Sequence, residues 1–96
     1  MDMMDIDHRP DEHRFEVPLQ GEQSAQLEYY LRPEARPTTL TITHTYVPRA
    51  FEGRGIAGRL TQAALDYAHR EGLEVIALCS FAVTYLARRE RRAGRS

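Results

Sequence analysis

A glycine-rich segment joins a strand-like stretch to a helix-like stretch, and it reads Val47-Pro48-Arg49-Ala50-Phe51-Glu52-Gly53-Arg54-Gly55-Ile56-Ala57-Gly58. Gly53 and Gly55 can adopt left-handed backbone conformations that other residues avoid, and they leave room for a ligand beside the main chain. The first N–H groups of the following helix have no partner within it, and the helix dipole places partial positive charge there. The segment therefore predicts a phosphate-binding turn at the start of a helix.

Three strand patterns precede this segment. Alternation of apolar and polar residues predicts strands over Arg14–Leu19 and 25–31, joined as a hairpin. The richest strand pattern runs from Thr38 to Val47. A regular alternation there would place four side chains on one face, namely Leu40, Ile42, His44 and Tyr46.

The apolar period becomes helical after Gly53, and this helix ends at Gly72. The apolar stretch Glu74–Cys79 predicts a short buried strand. Ser80 is the predicted N-cap of a second helix that runs to about Arg92. The helix residues expected to face the sheet are Phe81, Tyr85 and Leu86. The order is β-β-β-α-β-α, and the last strand should lie parallel to the third because a helix connects them. The fold class is therefore α/β (α+β), a single small domain with a mixed sheet.

Length and composition limit the kind of protein. The 96 residues, 42% of them hydrophobic, predict one small domain. The single cysteine, Cys79, excludes an internal disulfide and the multi-cysteine zinc sites, so we expect no metal. Neither a membrane span nor a secretory signal is visible, which predicts a cytoplasmic protein.

Charge is distributed unevenly along the chain. Residues 1–34 carry nine acidic residues and three arginines, whereas residues 35–96 carry ten arginines and five acidic residues. We expect a flexible acidic leader at residues 1–12, a folded domain over residues 13–92 and a basic tail at residues 93–96. All 13 basic residues are arginine, which favours bidentate contacts with phosphate or carboxylate, although genome composition would explain the absence of lysine equally well.

Two other phosphate-binding loops can be compared with the segment. A Walker A loop needs lysine, which this chain lacks. The Rossmann pattern is met by Gly53-x-Gly55-x-x-Gly58, but Glu74 opens the next strand where the fingerprint needs an acidic residue at a strand end. The chain is also too short for a doubly wound sheet.

The segment resembles the coenzyme A pyrophosphate loop of the GNAT superfamily of N-acetyltransferases, Gln/Arg-x-x-Gly-x-Gly/Ala, whose small positions are matched by Gly55 and Ala57. The chain is similar to minimal GNAT-like proteins that carry His-Thr-x-Val before the loop and Cys-x-Phe/Tyr-x-x-x-Tyr after the next strand. Those motifs stand here at residues 44–47 and 79–85, and the resemblance covers about residues 13–90. It implies transfer of an acetyl group from acetyl-coenzyme A to a small-molecule or protein amine.

The resemblance also implies a coenzyme site. Gly53 to Gly58 would hold the pyrophosphate through backbone N–H groups, and the strand end would pair with the pantetheine arm. The full set of implied coenzyme contacts is Tyr46, Val47, Glu52, Gly53, Arg54, Gly55, Ile56, Ala57 and Gly58. Two departures are Glu52, where the family has Gln or Arg, and Tyr46, where the small proteins often have glutamate; Arg54 could supply the missing positive charge.

Three side chains are catalytic candidates, Tyr85 by the same resemblance and Cys79 and His44 by their own chemistry and position. Tyr85 would protonate the departing thiolate, Cys79 could carry the acetyl group as a nucleophile, and His44 could act as general base. Each also has a structural interpretation, because a tyrosine, a free cysteine and a lone histidine on an apolar stripe commonly serve only packing.

Two alternative functions stay open. A non-catalytic coenzyme A-binding or regulatory module would explain the departures at Glu52 and Tyr46. A basic nucleic-acid-binding domain would use Arg49, Arg54 and the arginine run over residues 88–95, although no aromatic residues are interleaved in that run. The run could also contact the 3′-phosphate of the coenzyme or a partner, but it is more simply a helix end that compensates the dipole. So small a domain could need a homodimer to complete its acceptor site.

Overall fold

The computed structural model describes residues 5–94. Its elements are β1 (Asp7–Arg9), β2 (Arg14–Pro18), β3 (Ser24–Arg32), β4 (Thr39–Tyr46), α1 (Ile56–Glu71), β5 (Glu74–Ala77) and α2 (Ser80–Gly94), with short 3-10 turns at Pro10–Glu12 and Arg49–Phe51. The five strands form one sheet in chain order, antiparallel from β1 to β4 and parallel between β4 and β5. The predicted mixed sheet and parallel crossover are confirmed.

Apolar residues from the sheet and both helices form one core. The buried strand residues are Phe15, Val17, Ala25, Leu27, Tyr29, Leu40 and Ile42, and the buried helix residues are Ile56, Leu60, Ala64, Ala68 and Ala82. The helical spacing of the α1 residues gives that helix one apolar stripe, which packs on the sheet. This packing fixes the first turn of α1 beside the carboxyl end of β4.

A β-bulge interrupts the pairing of β4 with β3. Glu28 lies opposite His44 while Tyr29 lies opposite Ile42, so Thr43 is an extra residue on β4. The Thr43 hydroxyl donates to the backbone oxygen of Glu28 at 3.3 Å. Because side chains alternate with a period of two, one extra residue moves all later side chains to the other face.

The bulge corrects one prediction about β4. His44 and Tyr46 do not share the face of Leu40 and Ile42, because the alternation inverts at the bulge. Thr45 takes the core side instead, opposite the fully buried Leu27. A pattern of alternating residues cannot reveal such an inversion, since the inserted residue is itself an ordinary strand former.

The predicted leader is wrong for residues 7–12. Asp7–Arg9 form the edge strand β1, antiparallel to β2. The His8 ring stacks on Phe15 with centroids 4.0 Å apart, and its Nε2 lies 2.7 Å from the Tyr29 hydroxyl oxygen. A strand of three residues has no detectable period, and these tertiary contacts hold it. Residues 1–4 of the predicted leader lie outside the described residues.

The start of α2 also differs from the prediction. The Val83 N–H donates to the Cys79 oxygen at 3.0 Å, so Cys79, and not Ser80, occupies the N-cap position. Ala82 is the α2 residue buried in the core, whereas Phe81 stays 41% exposed. The helix continues to Gly94, so it includes the start of the predicted tail, whose residues 95–96 lie outside the described part.

Candidate functional site

A cleft of about 650 Å³ opens between the carboxyl end of β4, the segment leading into α1 and the first turns of α2. Six predicted coenzyme contacts from the segment line it, namely Glu52, Gly53, Gly55, Ile56, Ala57 and Gly58. Tyr46 and Val47 line it from the end of β4, and Tyr85 lines it from α2. Tertiary packing thus brings three separate stretches of sequence to one concavity.

Two glycines shape the floor of the cleft. Gly53 has a φ of +83° and Gly55 a φ of +80°, values that side chains disfavour. A Cβ added at either position would meet no heavy atom within 4 Å, so the space beside this main chain is open. A ligand can therefore approach the backbone closely here.

The helix that follows has free donors at its start. The Arg59 N–H donates to the Gly55 oxygen at 3.1 Å, which is the first bond of α1. The N–H groups of Ile56, Ala57 and Gly58 come before this bond and so lack intrahelical partners. No side chain hydrogen-bonds at the N-cap, Gly55. These donors and the helix dipole favour an anion at this end of the cleft.

The charged side chains around the cleft differ from the prediction. Glu52 and Arg88 line the cleft, whereas Arg54 does not. The Arg54 guanidinium lies over the Phe51 ring, 5.1 Å from its centroid, as a cation–π pair. Arg88 is not among the predicted site residues, because it stands inside an arginine run whose simpler interpretation is a solvated helix end.

The α2 wall is tied to α1 through Gln62. The Tyr85 hydroxyl donates to Gln62 Oε1 at 2.9 Å, and Arg89 donates to the same oxygen. Gln62 Nε2 donates to Asp66 Oδ1 at 2.9 Å. A Cβ added at Gly58 would lie 3.5 Å from Tyr85 Cε1, so the Tyr85 ring packs beside the first turn of α1 and leaves room for an alanine at residue 58. Phe81 completes this wall, and its ring centroid lies 6.1 Å from the ring centroid of Tyr85.

Cys79 and His44 are not brought together. Cys79 is half-buried, packs against the core, and its Sγ lies 3.3 Å from Thr45 Oγ1. Thr45 lines the cleft, whereas Cys79 does not. His44 is exposed and lies on the other face of the sheet, opposite Glu28. The bulge at Thr43 therefore separates the two candidate side chains by the thickness of the sheet.

Two other classes of feature are absent from residues 5–94. No group of three or more His, Cys, Asp or Glu side chains in that part of the chain is arranged to hold a metal ion. No helix described there has the length and apolar character to cross a membrane.

Comparison with known proteins identifies the family. Residues 14–93 match the GCN5-related N-acetyl-transferase family. Protein NATD1 of Xenopus tropicalis is 32% identical over 83 residues, which cover 84% of this chain and 72% of the relative. Protein NATD1 of Mus musculus is 32% identical over 81 residues, with the same coverage of both chains. Protein NATD1 of Homo sapiens is 42% identical over 45 residues, which cover 47% of this chain and 40% of the relative. The chain therefore belongs to the GCN5-related N-acetyltransferase family.

Proposed function

We propose that this protein transfers an acetyl group from acetyl-coenzyme A to an amine, with the coenzyme bound in the cleft between β4, α1 and α2. The observation that carries the proposal is the open main chain at Gly53 and Gly55, next to the partnerless N–H groups that begin α1. The cleft volume of about 650 Å³ lies within the usual range for small-molecule sites. Membership in the family supports the same assignment.

The residues of the cleft fit the parts of the coenzyme. The N–H groups of Ile56, Ala57 and Gly58 would donate to pyrophosphate oxygens, as helix N-termini do in other phosphate sites. Tyr46 and Val47 at the end of β4 would pair with the pantetheine arm, and the apolar ring of Phe81 lines the cleft opposite them.

The bound coenzyme would supply an acetyl thioester, whose carbonyl carbon the amine attacks as the C–S bond breaks. In our proposal, the backbone N–H of Val47 polarises that carbonyl. Tyr85 gives its hydroxyl proton to the leaving sulfur, since it is the phenol that lines the cleft. His44 lies on the other face of the sheet and does not line the cleft, so in this proposal the attacking amine gives up its proton to solvent.

Direct attack is favoured over a route through Cys79. A cysteine that carries the acetyl group must reach the thioester, but Cys79 is half-buried behind Thr45 and does not line the cleft. Transfer through an acetyl-Cys79 intermediate is therefore the second mechanism, and binding without turnover is the alternative function.

Calorimetric titration with acetyl-coenzyme A and with coenzyme A tests the site. We would compare the unmodified protein with Gly55→Glu and with Gly21→Glu, a matched control. Gly21 also has a positive φ, +69°, with nothing within 4 Å of an added Cβ, but it lies in the β2–β3 turn, away from the cleft. We expect the unmodified protein and Gly21→Glu to bind and Gly55→Glu to lose binding.

The same titration can overturn the proposal. Equal loss in both variants would show that backbone strain, and not the cleft, explains the effect, and an unmodified protein without binding would reject the coenzyme site. A screen of amines then separates an enzyme from a binding module. Because the chain contains no lysine, any acetyl-lysine found by mass spectrometry belongs to the acceptor.

A further inference from the structure

The segment between β4 and α1 brings a negative charge to the proposed coenzyme site and no positive charge that balances it. Each phosphate of the coenzyme is an anion, yet one residue that lines the same cleft, Glu52, is acidic. Arg54, the nearest arginine in sequence, has its guanidinium over the Phe51 ring and does not line the cleft. Like charges in a cleft repel each other, so tight binding of a phosphate requires a cation from elsewhere.

Arg88 is the one cationic side chain among the described residues that line the cleft. It lies on α2, three residues beyond Tyr85, whose ring faces Gly58 at the start of α1. In the described part of the chain no acidic side chain forms an ion pair with Arg88. Its charge is therefore not offset by an ion pair with another described residue.

The neighbouring arginine has a different role. Arg89 donates to Gln62 and so ties α2 to α1. This contact holds the helix turn that presents Arg88 to the cleft. Of these two consecutive arginines, Arg89 therefore holds α2 against α1, and Arg88 faces the proposed ligand.

We infer that Arg88 anchors a phosphate of the coenzyme and offsets the charge of Glu52. The inference rests on the proposed function and deepens it. If Arg88 contacts a phosphate, the charge of that phosphate helps to determine which thioesters bind in the cleft. A guanidinium suits this purpose, since its planar N–H groups can contact two phosphate oxygens at once. The phosphate is either part of the pyrophosphate or the 3′-phosphate of the ribose.

Calorimetric titration of Arg88→Gln with coenzyme A and with 3′-dephospho-coenzyme A tests the inference. Arg91→Gln is the matched control, because Arg91 is an exposed arginine on the same helix that does not line the cleft. We expect Arg88→Gln to raise the Kd for coenzyme A about tenfold or more, by loss of a charge-assisted contact. The control should stay within about twofold, because exposed charges outside the site are screened.

The two ligands identify the phosphate. If Arg88→Gln loses affinity for coenzyme A only, Arg88 contacts the 3′-phosphate. If it loses affinity for both ligands equally, Arg88 contacts the pyrophosphate. Arg88→Lys should recover only part of the affinity, because lysine keeps the charge but lacks the planar fork. Glu52→Gln should strengthen binding of coenzyme A, because it removes the opposing carboxylate.

Failure of the inference is distinguishable from failure of the proposed function. If the unmodified protein binds coenzyme A and Arg88→Gln binds as well as Arg91→Gln, the coenzyme site stands and the role of Arg88 is rejected. If the unmodified protein binds neither ligand, the proposed function is rejected and the role of Arg88 with it. Circular dichroism of each variant establishes that a loss of binding is not a loss of fold.

Discussion

The Tyr85 hydroxyl donates a hydrogen bond to Gln62 Oε1 at 2.9 Å, across the interface between α2 and α1. The orientation of the Gln62 amide is fixed by its other partners. Arg89 can only donate and the Asp66 carboxylate accepts, so the amide oxygen faces Arg89 and the amide nitrogen faces Asp66. The Tyr85 proton therefore lies towards Gln62, and it must rotate into the cleft to reach a leaving thiolate.

Replacing Tyr85 with phenylalanine removes the hydroxyl and keeps the ring beside Gly58. We expect coenzyme affinity to stay within about twofold and acetyl transfer to fall by about 100-fold, the usual effect of losing a general acid. Calorimetry and a coupled assay for free thiol measure the two effects. An unchanged transfer rate would assign Tyr85 to packing alone.

Replacing Gln62 with alanine removes the oxygen that accepts from both Tyr85 and Arg89. The link is partly exposed, so we expect the free energy of unfolding to fall by about 1 kcal/mol. Urea unfolding measures this value. Gln23→Ala, in the exposed β2–β3 turn, is the control and should be nearly neutral. Equal effects of the two variants would show that the link contributes nothing to stability.

Gly58 and Gly55 should respond oppositely to alanine. Gly58 lies in α1 without a positive φ, and an added Cβ would make ordinary contact with Tyr85 at 3.5 Å. We expect Gly58→Ala to stabilise the fold by about 0.5 kcal/mol through lower unfolded-state entropy. Gly55→Ala, at a φ of +80°, should destabilise it by about 1 kcal/mol. Urea unfolding of both variants measures these changes in the free energy of unfolding. A destabilising effect of Gly58→Ala would contradict the packing of Tyr85 beside Gly58.

Stability should fall in mild acid because of His8. Burial lowers the pKa of His8 below its ordinary value of 6.5, and the positive charge of Arg70 lowers this pKa further. The unfolded chain then binds the proton more readily than the folded protein. The contribution of His8 to stability is complete above pH 6.5, and it is lost progressively as the pH falls from 6.5 towards the lower pKa of the folded state.

Urea midpoints between pH 8 and pH 5 check this pH dependence. His8→Phe keeps a ring to stack on Phe15 but cannot titrate, so its midpoint should change less with pH over the acidic range. His44→Gln is the control for replacing a histidine at an exposed position. A His8→Phe variant with the slope of the unmodified protein would assign the acid sensitivity to other groups.

Cys79→Ala distinguishes the two transfer mechanisms. The Cys79 thiol contacts Thr45 and does not line the cleft, so we expect transfer within about threefold of the unmodified rate, as for residues outside the chemistry. Intact-protein mass spectrometry should find no acetyl adduct on the unmodified protein during turnover. A complete loss of transfer together with a trapped acetyl-cysteine would establish the covalent route instead.

The sequence by itself determined the elements from β2 onwards and the segment that shapes the cleft. The strand alternation before Thr39, the helical stripe through Leu60 and Ala64, and the glycines at 53 and 55 are local signals, because period and backbone freedom depend on neighbouring residues. The parallel placement of β5 also followed from the sequence, since a crossover helix permits few alternatives.

Only the tertiary structure decided which side chains meet. The bulge at Thr43 arises from the register between β3 and β4, and it moved His44 away from the face that holds Cys79. The strand β1 is held because His8 stacks on Phe15 of the neighbouring strand and contacts Tyr29, which lies 21 residues away in the sequence. The packing of α2 on α1 likewise turned Arg88, and not Arg54, into the cation of the cleft. Such contacts join residues far apart in the chain, and no local pattern encodes them.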